Sequence, residues 1–370
     1  DLLIEKLRKW KEGEELEDVW IGVYKYFLEN EEWKYKLEGA VKALNYTNKP
    51  ENISKENIEK LYGNTLNTTV SRLEQYKCCP FSYYLKYGLK VHESDNFKVQ
   101  MVDTGNFMHE VIDSFFNIVR QRQISIKEIS EKETEEIVNE IIEEKLKIRK
   151  NYIFTSTDKY KVLTRRLKRV ILKSMKYILE SLKDSDFEVF GNELEFKKGK
   201  EYDPIRLNLE DGKRVEITGK IDRVDLAKTL DGNYIRIIDY KSSVKNIDLN
   251  EVYAGLQLQL LTYLDATCKI EEMLPAGVLY FSLIDPIIKL DKYMTDEQIE
   301  SELKKKFKMN GIILADVKVI KMMDKKLETG ASNVIPAYID KDGNLSKKSN
   351  AVTKEQFEDL QKYTAKIIKE

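Results

Sequence analysis

The sequence predicts an α/β fold, in which a mixed sheet is flanked by helices and a further helical segment lies at the N-terminus. Three observations predict it. Residues 1 to about 62 and 71 to 184 place apolar side chains at helical spacing. From residue 188 the pattern becomes that of strands, in the order β-β-β-α-β. From residue 295 the pattern is helical again, with a polar turn at 340–344.

Local signals divide these regions into elements. The stretch "GNTLNTTV" (63–70) is typical of a linker, because glycine, asparagine and threonine break helices. Ser71 predicts a helix N-cap, with Glu74 as the second half of a capping box. Helices are predicted over about 104–122, 132–151, 157–184 and 250–267. The predicted strands are "EVFGNELEFKK", "RVEITGKIDRVDLAK", "NYIRIIDYKSS" and "GVLYFSLID", with a tight turn at "LDG" (230–232) between the second and the third.

Composition excludes several classes of protein. The 370 residues suffice for about two domains, and the 63 basic and 64 acidic side chains nearly cancel. Bulk charge therefore favours neither a nucleic acid nor a membrane, and any phosphate binding must come from local patches. Three cysteines do not make a disulfide framework, which favours the cytoplasm, and no apolar run approaches the ~20 residues of a membrane span. Because the chain begins with aspartate inside a helical pattern, we expect it to be a piece of a longer protein.

Two acids and a lysine are expected at one end of the sheet. Asp239 and Lys241 are two apart in a strand, so they project from the same face, with Tyr240 on the other. Asp222 lies at the same point of the preceding strand if a hairpin joins the two at "LDG". Paired carboxylates can hold Mg²⁺, and the lysine can neutralise charge on a phosphate. The simpler alternative is an acid–lysine pair that leaves the core for solvent.

A helix from about residue 104 carries a histidine at the edge of its apolar stripe. Asp103 or Thr104 can cap this helix. His109 is explained either as a core histidine bonded to a carbonyl or as a metal ligand directed at the carboxylates. The stripe consists of Met108, Val111, Ile112, Phe115 and Val119.

Two further helices carry polar side chains that need an explanation. Gln259 and Tyr263 are four apart and share a helix face with Leu256, and glutamines in an apolar helix need partners if buried. On another helix, four basic residues could follow a phosphate backbone, although a solvated helix face explains them equally simply. They are Arg165, Arg169, Lys173 and Lys176.

The order of the stretches "SRLEQYKCCPFSYYLKYGL", "GNFMHE", "GKIDRVD", "IIDYKSS" and "QLQLLTY" resembles RecB-type nuclease domains of the PD-(D/E)XK superfamily. The block "CPFSYYLKYGL" is most similar to that of the AddB group, the B subunits of helicase-nucleases. The resemblance covers roughly residues 70–370 and implies a restriction-endonuclease-like core. Residues 1–69 would then be the helical end of a preceding helicase-like region plus a linker.

The resemblance implies roles for the candidate residues. Lys241 would be the catalytic lysine, and Gln259 and Tyr263 match a Q-x-x-x-Y motif near the scissile phosphate. Glu193 lies where the family often has an acid on the first core strand. The implied ligands of Mg²⁺ or Mn²⁺ are His109, Asp222, Asp239 and the backbone carbonyl of Tyr240.

The AddB group also carries a [4Fe-4S] cluster with one ligand in the C-P-F motif, here Cys79, and three close to the C-terminus. This sequence reaches Glu370 without a matching triplet, and Cys268 is not at a matching place. We therefore expect the cluster in the full-length protein and an incomplete ligand set in this chain. A buried structural cysteine is the alternative.

The implied function is a metal-dependent deoxyribonuclease that hydrolyses DNA by in-line attack of a water. The implied substrate is a single strand fed from an AddA-type helicase-nuclease subunit during double-strand-break processing and recombinational repair. The chain lacks a G-x-x-x-x-G-K-[ST] loop, so we expect the motor activity elsewhere in the complex. The alternatives are a catalytically silent nuclease-like scaffold that guides DNA or docks a partner, and a stand-alone exonuclease.

Overall fold

The computed structural model describes residues 1–46, 52–91, 99–209, 212–288 and 294–370. The chain divides into two compact units, Asp1–Lys60 and Leu61–Glu370. The first unit is helical, as predicted, with α1 (Leu2–Lys11), α2 (Asp18–Glu29), α3 (Glu31–Leu44) and most of α4 (Lys55–Tyr62). Its small core is built on three buried leucines, Leu3, Leu7 and Leu37.

The second unit contains the strands and the longer helices. In chain order its elements are β1 (Thr65–Thr68), α5 (Val70–Cys78), α6 (Pro80–Tyr83), a π-helical turn (Tyr84–Gly88), α7 (Met101–Gln121), α8 (Glu131–Leu146), a 3₁₀ stretch (Arg149–Thr155), α9 (Asp158–Lys183), β2 (Glu188–Phe196), β3 (Ile205–Asn208), β4 (Arg214–Ile217), β5 (Gly219–Thr229), β6 (Gly232–Lys241), α10 (Leu249–Tyr253), α11 (Gln259–Glu271), β7 (Leu274–Ser282), α12 (Asp296–Phe307), β8 (Asn310–Leu314), α13 (Val317–Met323), β9 (Gly330–Ala331), β10 (Tyr338–Ile339), β11 (Ala351–Val352) and α14 (Lys354–Lys369).

A six-stranded sheet in the order β11-β8-β7-β6-β5-β2 forms the centre of this unit. The β6–β7 and β8–β11 pairs are parallel and the other pairs antiparallel, so the sheet is mixed. Helices α7 and α11 contact this sheet, at β2 and at β6 and β7 respectively. The predicted fold, a mixed sheet flanked by helices, is therefore confirmed. The predicted order holds for β2, β5, β6, α11 and β7, but the second predicted strand is divided into β4 and β5 and the helix predicted over about 250–267 is divided into α10 and α11.

The β5–β6 hairpin has the predicted register. Thr229 lies opposite Gly232, which leaves Leu230 and Asp231 as a two-residue turn. Ile235, Ile237 and Ile238 are fully buried, as expected for a central strand covered on both faces. Because Arg223 lies opposite Ile238, this register directs the residues around 222 and 239 to the end of the hairpin away from the turn.

The helix that carries His109 is fixed by its apolar stripe. All five predicted stripe residues of α7 are at most 4% exposed, which confirms the predicted core face. The helix begins at Met101, where the backbone N–H of Gln100 donates to the Asp103 carboxylate at 2.8 Å. Asp103 therefore stabilises the helix start from inside its first turn, where a carboxylate also meets the positive end of the helix dipole.

The segment interpreted as a linker contains strand β1. It pairs in parallel with β4, in a three-stranded sheet of order β1-β4-β3. Asparagine and threonine disfavour a helix here, but threonine is β-branched and also favours strands. The chain is therefore already part of the second unit at Leu61.

The predicted capping box of the next helix is wrong. Helix α5 begins at Val70, and its N-cap is Thr69, whose hydroxyl accepts a hydrogen bond from the Arg72 N–H at 3.3 Å. Ser71 lies inside the helix, and Glu74 contacts a different helix. Threonine and serine are both good N-caps, so the local sequence allows the helix to begin after Thr69 or after Ser71.

The C-terminal region is more than the helical tail that was predicted. It contains β8 and three two-residue strands besides α12, α13 and α14. Residues 311–314 of β8 are all buried, so this short strand lacks the alternation that identifies a strand in sequence. The polar turn is confirmed, because Asp340 accepts hydrogen bonds from the N–H groups of Asp342 (2.9 Å) and Asn344 (2.8 Å).

Within the described residues, none of the helices is both apolar enough and long enough to span a lipid bilayer.

Candidate active site

His109 reaches the end of the β5–β6 hairpin from α7. Its Nδ1 lies 3.3 Å from Oδ2 of Asp222. The imidazole also meets the Tyr240 ring edge to face, with 5.8 Å between ring centroids. The structure thus brings this histidine to the carboxylates, which is the second of the two explanations that the sequence left open.

The two aspartates lie on neighbouring strands. Oδ2 of Asp222 accepts a hydrogen bond from the backbone N–H of Tyr240 at 2.8 Å, which fixes Asp222 beside the strand that carries Asp239. Asp239 has a side chain only 7% exposed, and its Oδ2 lies 2.6 Å from Nζ of Lys241. The ammonium of Lys241 also lies over the ring of Tyr280, 5.8 Å from its centroid. Both acids and the lysine therefore meet at one end of the sheet.

Glu193 joins this group from β2 through an unusual backbone conformation. Its φ is 54°, in the left-handed region that non-glycine residues avoid. Its carboxylate pairs with Lys220, and ligand atoms of His109, Glu193 and Asp222 all lie within 4.8 Å of one another. Backbone strain of this kind persists only where the surrounding structure imposes it.

Asn192, the residue before Glu193, holds this part of β2 in place. The amide of Asn192 donates to the carboxylate of Asp113, and its oxygen accepts from Arg120 at 2.9 Å. Asp113 lies one helical turn after His109 on α7. The same helix face therefore carries the imidazole and holds β2 next to Glu193.

Burial and the neighbouring charges change the acid–base properties of the site. Burial raises the pKa of Asp239 to about 6, and the charge of Asp222 adds to the shift, whereas Lys241 and His109 oppose it. Burial lowers the pKa of His109, but its hydrogen bond to Asp222 and the negative charges of Asp222 and Asp239 outweigh this, so the net shift is upward. Both pKa values lie above the ordinary values of the groups, so a bound cation would compete with protons at both side chains.

Gln259 and Tyr263 lie on α11, as the motif predicted. Gln259 is the first residue of the helix, and Leu256 precedes the helix, so it does not share the helix face that was predicted for it. The hydroxyl of Tyr263 lies against Gly219, three residues before Asp222. The Tyr263 ring stacks on Phe196 with 5.6 Å between centroids.

Replacing Gly219 with alanine is expected to displace Tyr263. A Cβ at Gly219 would overlap the Tyr263 hydroxyl, and the stacked ring leaves little room for retreat. We expect a loss of about 1–3 kcal/mol in the free energy of unfolding, typical of overpacking. Urea denaturation measures it, with Gly39→Ala as the control, because a Cβ at Gly39 meets no atom within 4 Å. Equal stability of the two variants would show that Tyr263 moves freely.

The family of the chain follows from comparison with known protein families. Residues 67–370 match the family model of the PD-(D/E)XK nuclease superfamily. The chain belongs to the PD-(D/E)XK nuclease superfamily. Residues 1–43 match the model described as the ATP-dependent helicase/deoxyribonuclease AddB fifth domain.

Curated relatives of this PD-(D/E)XK chain share one name, that of the B subunit of an ATP-dependent helicase/deoxyribonuclease. The protein from Clostridium novyi is 45% identical over 99% of this chain and 33% of its own length. Those from Acetivibrio thermocellus and Clostridium perfringens are 41% and 42% identical, over 99% and 96% of this chain and 32% of their own lengths. The chain thus spans about a third of the relatives it matches.

The donor set fits the divalent metal that PD-(D/E)XK nucleases use. One imidazole nitrogen and two carboxylates are already gathered, and the buried carboxylate of Asp239 lies next to them. Oxygen ligands of this kind suit Mg²⁺ and Mn²⁺. The backbone carbonyl of Tyr240 remains a predicted ligand.

The predicted basic patch on α9 is largely paired with acids. Arg169 and Lys173 both contact the carboxylate of Asp285, at 3.0 Å in each case. Lys176 pairs with Glu300 at 3.0 Å, whereas Arg165 is exposed. Their partners are more than a hundred residues away in sequence, so the helical pattern alone could not reveal them.

The cysteines do not supply a complete cluster site from this chain alone. A [4Fe-4S] cluster takes four cysteine thiolates, and the sequence contains three cysteines. Cys79 is exposed, and its Sγ accepts a weak hydrogen bond from the Ser82 N–H at 3.5 Å. Burial raises the pKa of the Cys268 thiol to about 12, as for an inert structural cysteine.

Three residues near the site were missed or misread in the sequence. Lys220 pairs with Glu193, and Lys245 lies over the ring of Tyr280, 5.2 Å from its centroid. Glu74, read as a capping residue of its own helix, bonds to the N-terminus of α11. The motif "GKID" could have drawn attention to Lys220, whereas nothing local indicates the target of Glu74.

Proposed function

We propose that this chain contains a metal-dependent deoxyribonuclease domain that hydrolyses the phosphodiester bonds of DNA. The observation that carries the proposal is the convergence of His109, Glu193, Asp222, Asp239 and Lys241 from four separate elements. Chance pairing of an acid and a lysine at a strand end does not account for an imidazole and a strained glutamate at the same place. Membership of a nuclease superfamily supports the same reaction.

The residues divide into three tasks. His109, Asp222 and Asp239, with Glu193, hold the cation, which polarises a phosphoryl oxygen and lowers the pKa of water when bound. Lys241 donates hydrogen bonds to the phosphate or to the attacking water and offsets negative charge that develops there. Gln259 and Tyr263 position the scissile phosphate from the N-terminal turn of α11.

The finer features of the proposal come from the relatives. Their shared name describes one component of an ATP-dependent helicase/deoxyribonuclease with more than one kind of subunit. We infer that this chain acts with a second component of the AddA type on single-stranded DNA delivered by a helicase, in the processing of double-strand breaks in the cytoplasm. The match of residues 1–43 to an AddB fifth domain supports residues 1–69 as the end of a preceding helicase-like region.

Cleavage of end-labelled linear DNA tests the proposal. Single- and double-stranded substrates are incubated with the 370-residue chain and Mg²⁺, Mn²⁺ or EDTA. We expect cutting only with metal, and a loss of more than about 100-fold in Asp222→Asn, because one ligand charge is removed. The control is Asp231→Asn, in the turn at the other end of the same hairpin. Binding of DNA without cutting would favour the silent scaffold.

Cation binding is expected to weaken below neutral pH. Asp239 must lose its proton to bind a cation, and burial and Asp222 raise its pKa to about 6 in the metal-free site. Below this value the dissociation constant for Mn²⁺ should rise between about tenfold and a hundredfold per pH unit, since protons compete for the carboxylate of Asp239 and for the imidazole of His109. Because the pKa of His109 is also raised, the competition between protons and the cation extends to higher pH. Electron paramagnetic resonance titration measures the dissociation constant for Mn²⁺ at each pH. An affinity that does not depend on pH would contradict the assignment of Asp239 as a cation ligand.

A further inference from the structure

Glu74 caps a helix that is distant in sequence. The N-cap residue of α11 is Leu258, which has no side-chain oxygen to offer. Instead, Oε1 of Glu74 on α5 accepts hydrogen bonds from the backbone N–H of Leu258 at 2.7 Å and of Gln259 at 3.0 Å. The first N–H groups of a helix have no partner within it, and a carboxylate also meets the positive end of the helix dipole there.

This carboxylate is half-buried and lies near cationic groups of the site. Burial raises the pKa of Glu74, and the two backbone hydrogen bonds and the charges of Lys245 and Lys241 oppose that shift. Position 258 offers no local cap, because the side chain of Leu258 is fully buried in the core. The cap comes instead from α5, and it joins that helix to the first turn of α11.

The capped end of α11 is the end that faces the proposed site. Gln259 is its first residue, and Tyr263 lies one turn further on. The hydroxyl of Tyr263 lies against Gly219, the first residue of the strand that carries Asp222. A shift of this helix end would therefore move both motif residues relative to Asp222.

We propose that Glu74 is a positioning residue for phosphodiester hydrolysis, which holds the N-terminus of α11 so that Gln259 and Tyr263 face the carboxylates. This inference rests on the proposed nuclease function. The two hydrogen bonds of Glu74, rather than its charge, orient the helix end. Hydrogen bonds to two successive backbone N–H groups fix the direction of the helix, whereas attraction between Glu74 and Lys241 does not.

Two mild substitutions separate these contributions. Glu74→Gln keeps the length and an acceptor oxygen but loses the charge, and Glu74→Asp keeps the charge but loses one methylene of reach. We expect kcat within about threefold of wild type for Glu74→Gln and a fall on the order of 10- to 100-fold for Glu74→Asp, as for a small misplacement of positioning groups. The Mn²⁺ dissociation constant should stay unchanged in both, because the ligands lie on other elements. Thr295→Ala, which removes a cap from α12, is the control that should leave kcat unchanged.

A second readout does not require cleavage. Hydrogen exchange of a peptide spanning residues 256–264 should accelerate in Glu74→Asp and not in Glu74→Gln or Thr295→Ala. The reverse order of the two Glu74 variants, or wild-type kcat and exchange in both, would overturn the inference. If the wild-type chain does not cut DNA, the nuclease proposal fails, while the exchange rates still report whether Glu74 holds α11.

Discussion

Lys241→Ala is expected to lose about 100- to 1000-fold in the rate of DNA cleavage, the usual cost of removing a group that stabilises charge in a transition state. The ammonium of Lys241 lies next to the proposed cation ligands and 2.6 Å from Asp239. No other lysine in the described residues is placed against that carboxylate by an ion pair. Alanine removes the donor and leaves the strand and its buried neighbours in place.

The same substitution should not weaken cation binding. Lys241 is a positive charge beside the proposed site, so its removal lowers repulsion toward Mn²⁺. The charge of Lys241 also holds the pKa of Asp239 below the value that burial alone would give, so this pKa should rise further in the variant. Assays near pH 8 keep Asp239 ionised and separate the two effects.

Single-turnover cleavage and Mn²⁺ titration of the same samples check this prediction. Lys228→Ala is the matched control, because Lys228 is exposed on β5 close to the turn of the hairpin. If the Lys241→Ala variant cuts DNA as fast as the Lys228→Ala variant, Lys241 has no part in the mechanism. Loss of Mn²⁺ binding together with cleavage would instead indicate that the substitution disrupts the site.

The hairpin and its acids could be predicted because their determinants are local. A two-residue turn and the twofold period of a strand are enough to put Asp222, Asp239 and Lys241 at one end of the sheet. The apolar stripe of α7 predicted that His109 lies on the inward side of its helix, and the motif order of the family supplied its link to the carboxylates. For these residues, local spacing determines the direction of the side chain.

Residues placed by distant contacts could not be predicted in this way. Glu193 reaches the site through a left-handed φ that the contacts of Asn192 with α7 hold in place. The target of Glu74 lies 184 residues away, and Asp285 pairs with Arg169 across 116 residues. Each depends on which elements become neighbours, and periodicity carries no information about that. The expectation that α11 lies next to the hairpin came from the motif order of the family, because periodicity could not supply it.

Asp225→Asn is expected to be the most destabilising single change near the site. Behind the acids, Asp225 accepts hydrogen bonds from Arg223 at 3.2 Å and from Arg236 at 2.9 Å, and all three residues are at most 1% exposed. One carboxylate thus serves two buried guanidinium groups. Asparagine leaves both cations without a counter-ion, which typically costs about 3–5 kcal/mol.

The charge count predicts a smaller effect for Arg236→Met. That substitution leaves Arg223 and Asp225 as a balanced pair, and Arg223 keeps its hydrogen bond to the Tyr240 hydroxyl at 3.0 Å. In the described part of the chain, neither terminal nitrogen of Arg236 meets an acceptor, so little hydrogen bonding is lost. We expect a cost below about 2 kcal/mol, since a well-packed apolar side chain can replace a buried charge.

Urea denaturation followed by far-ultraviolet circular dichroism measures both free energies, with Asp231→Asn as the exposed control. Tryptophan fluorescence is unsuitable for this purpose, because Trp10, Trp20 and Trp33 all lie in the first unit. If Arg236→Met costs as much as Asp225→Asn, packing around the guanidinium, which lies 4.8 Å from the Phe187 ring centroid, governs stability rather than charge balance. If neither exceeds the control, water reaches these groups and the pair of strands that carries Asp222 and Asp239 is held by its apolar faces alone.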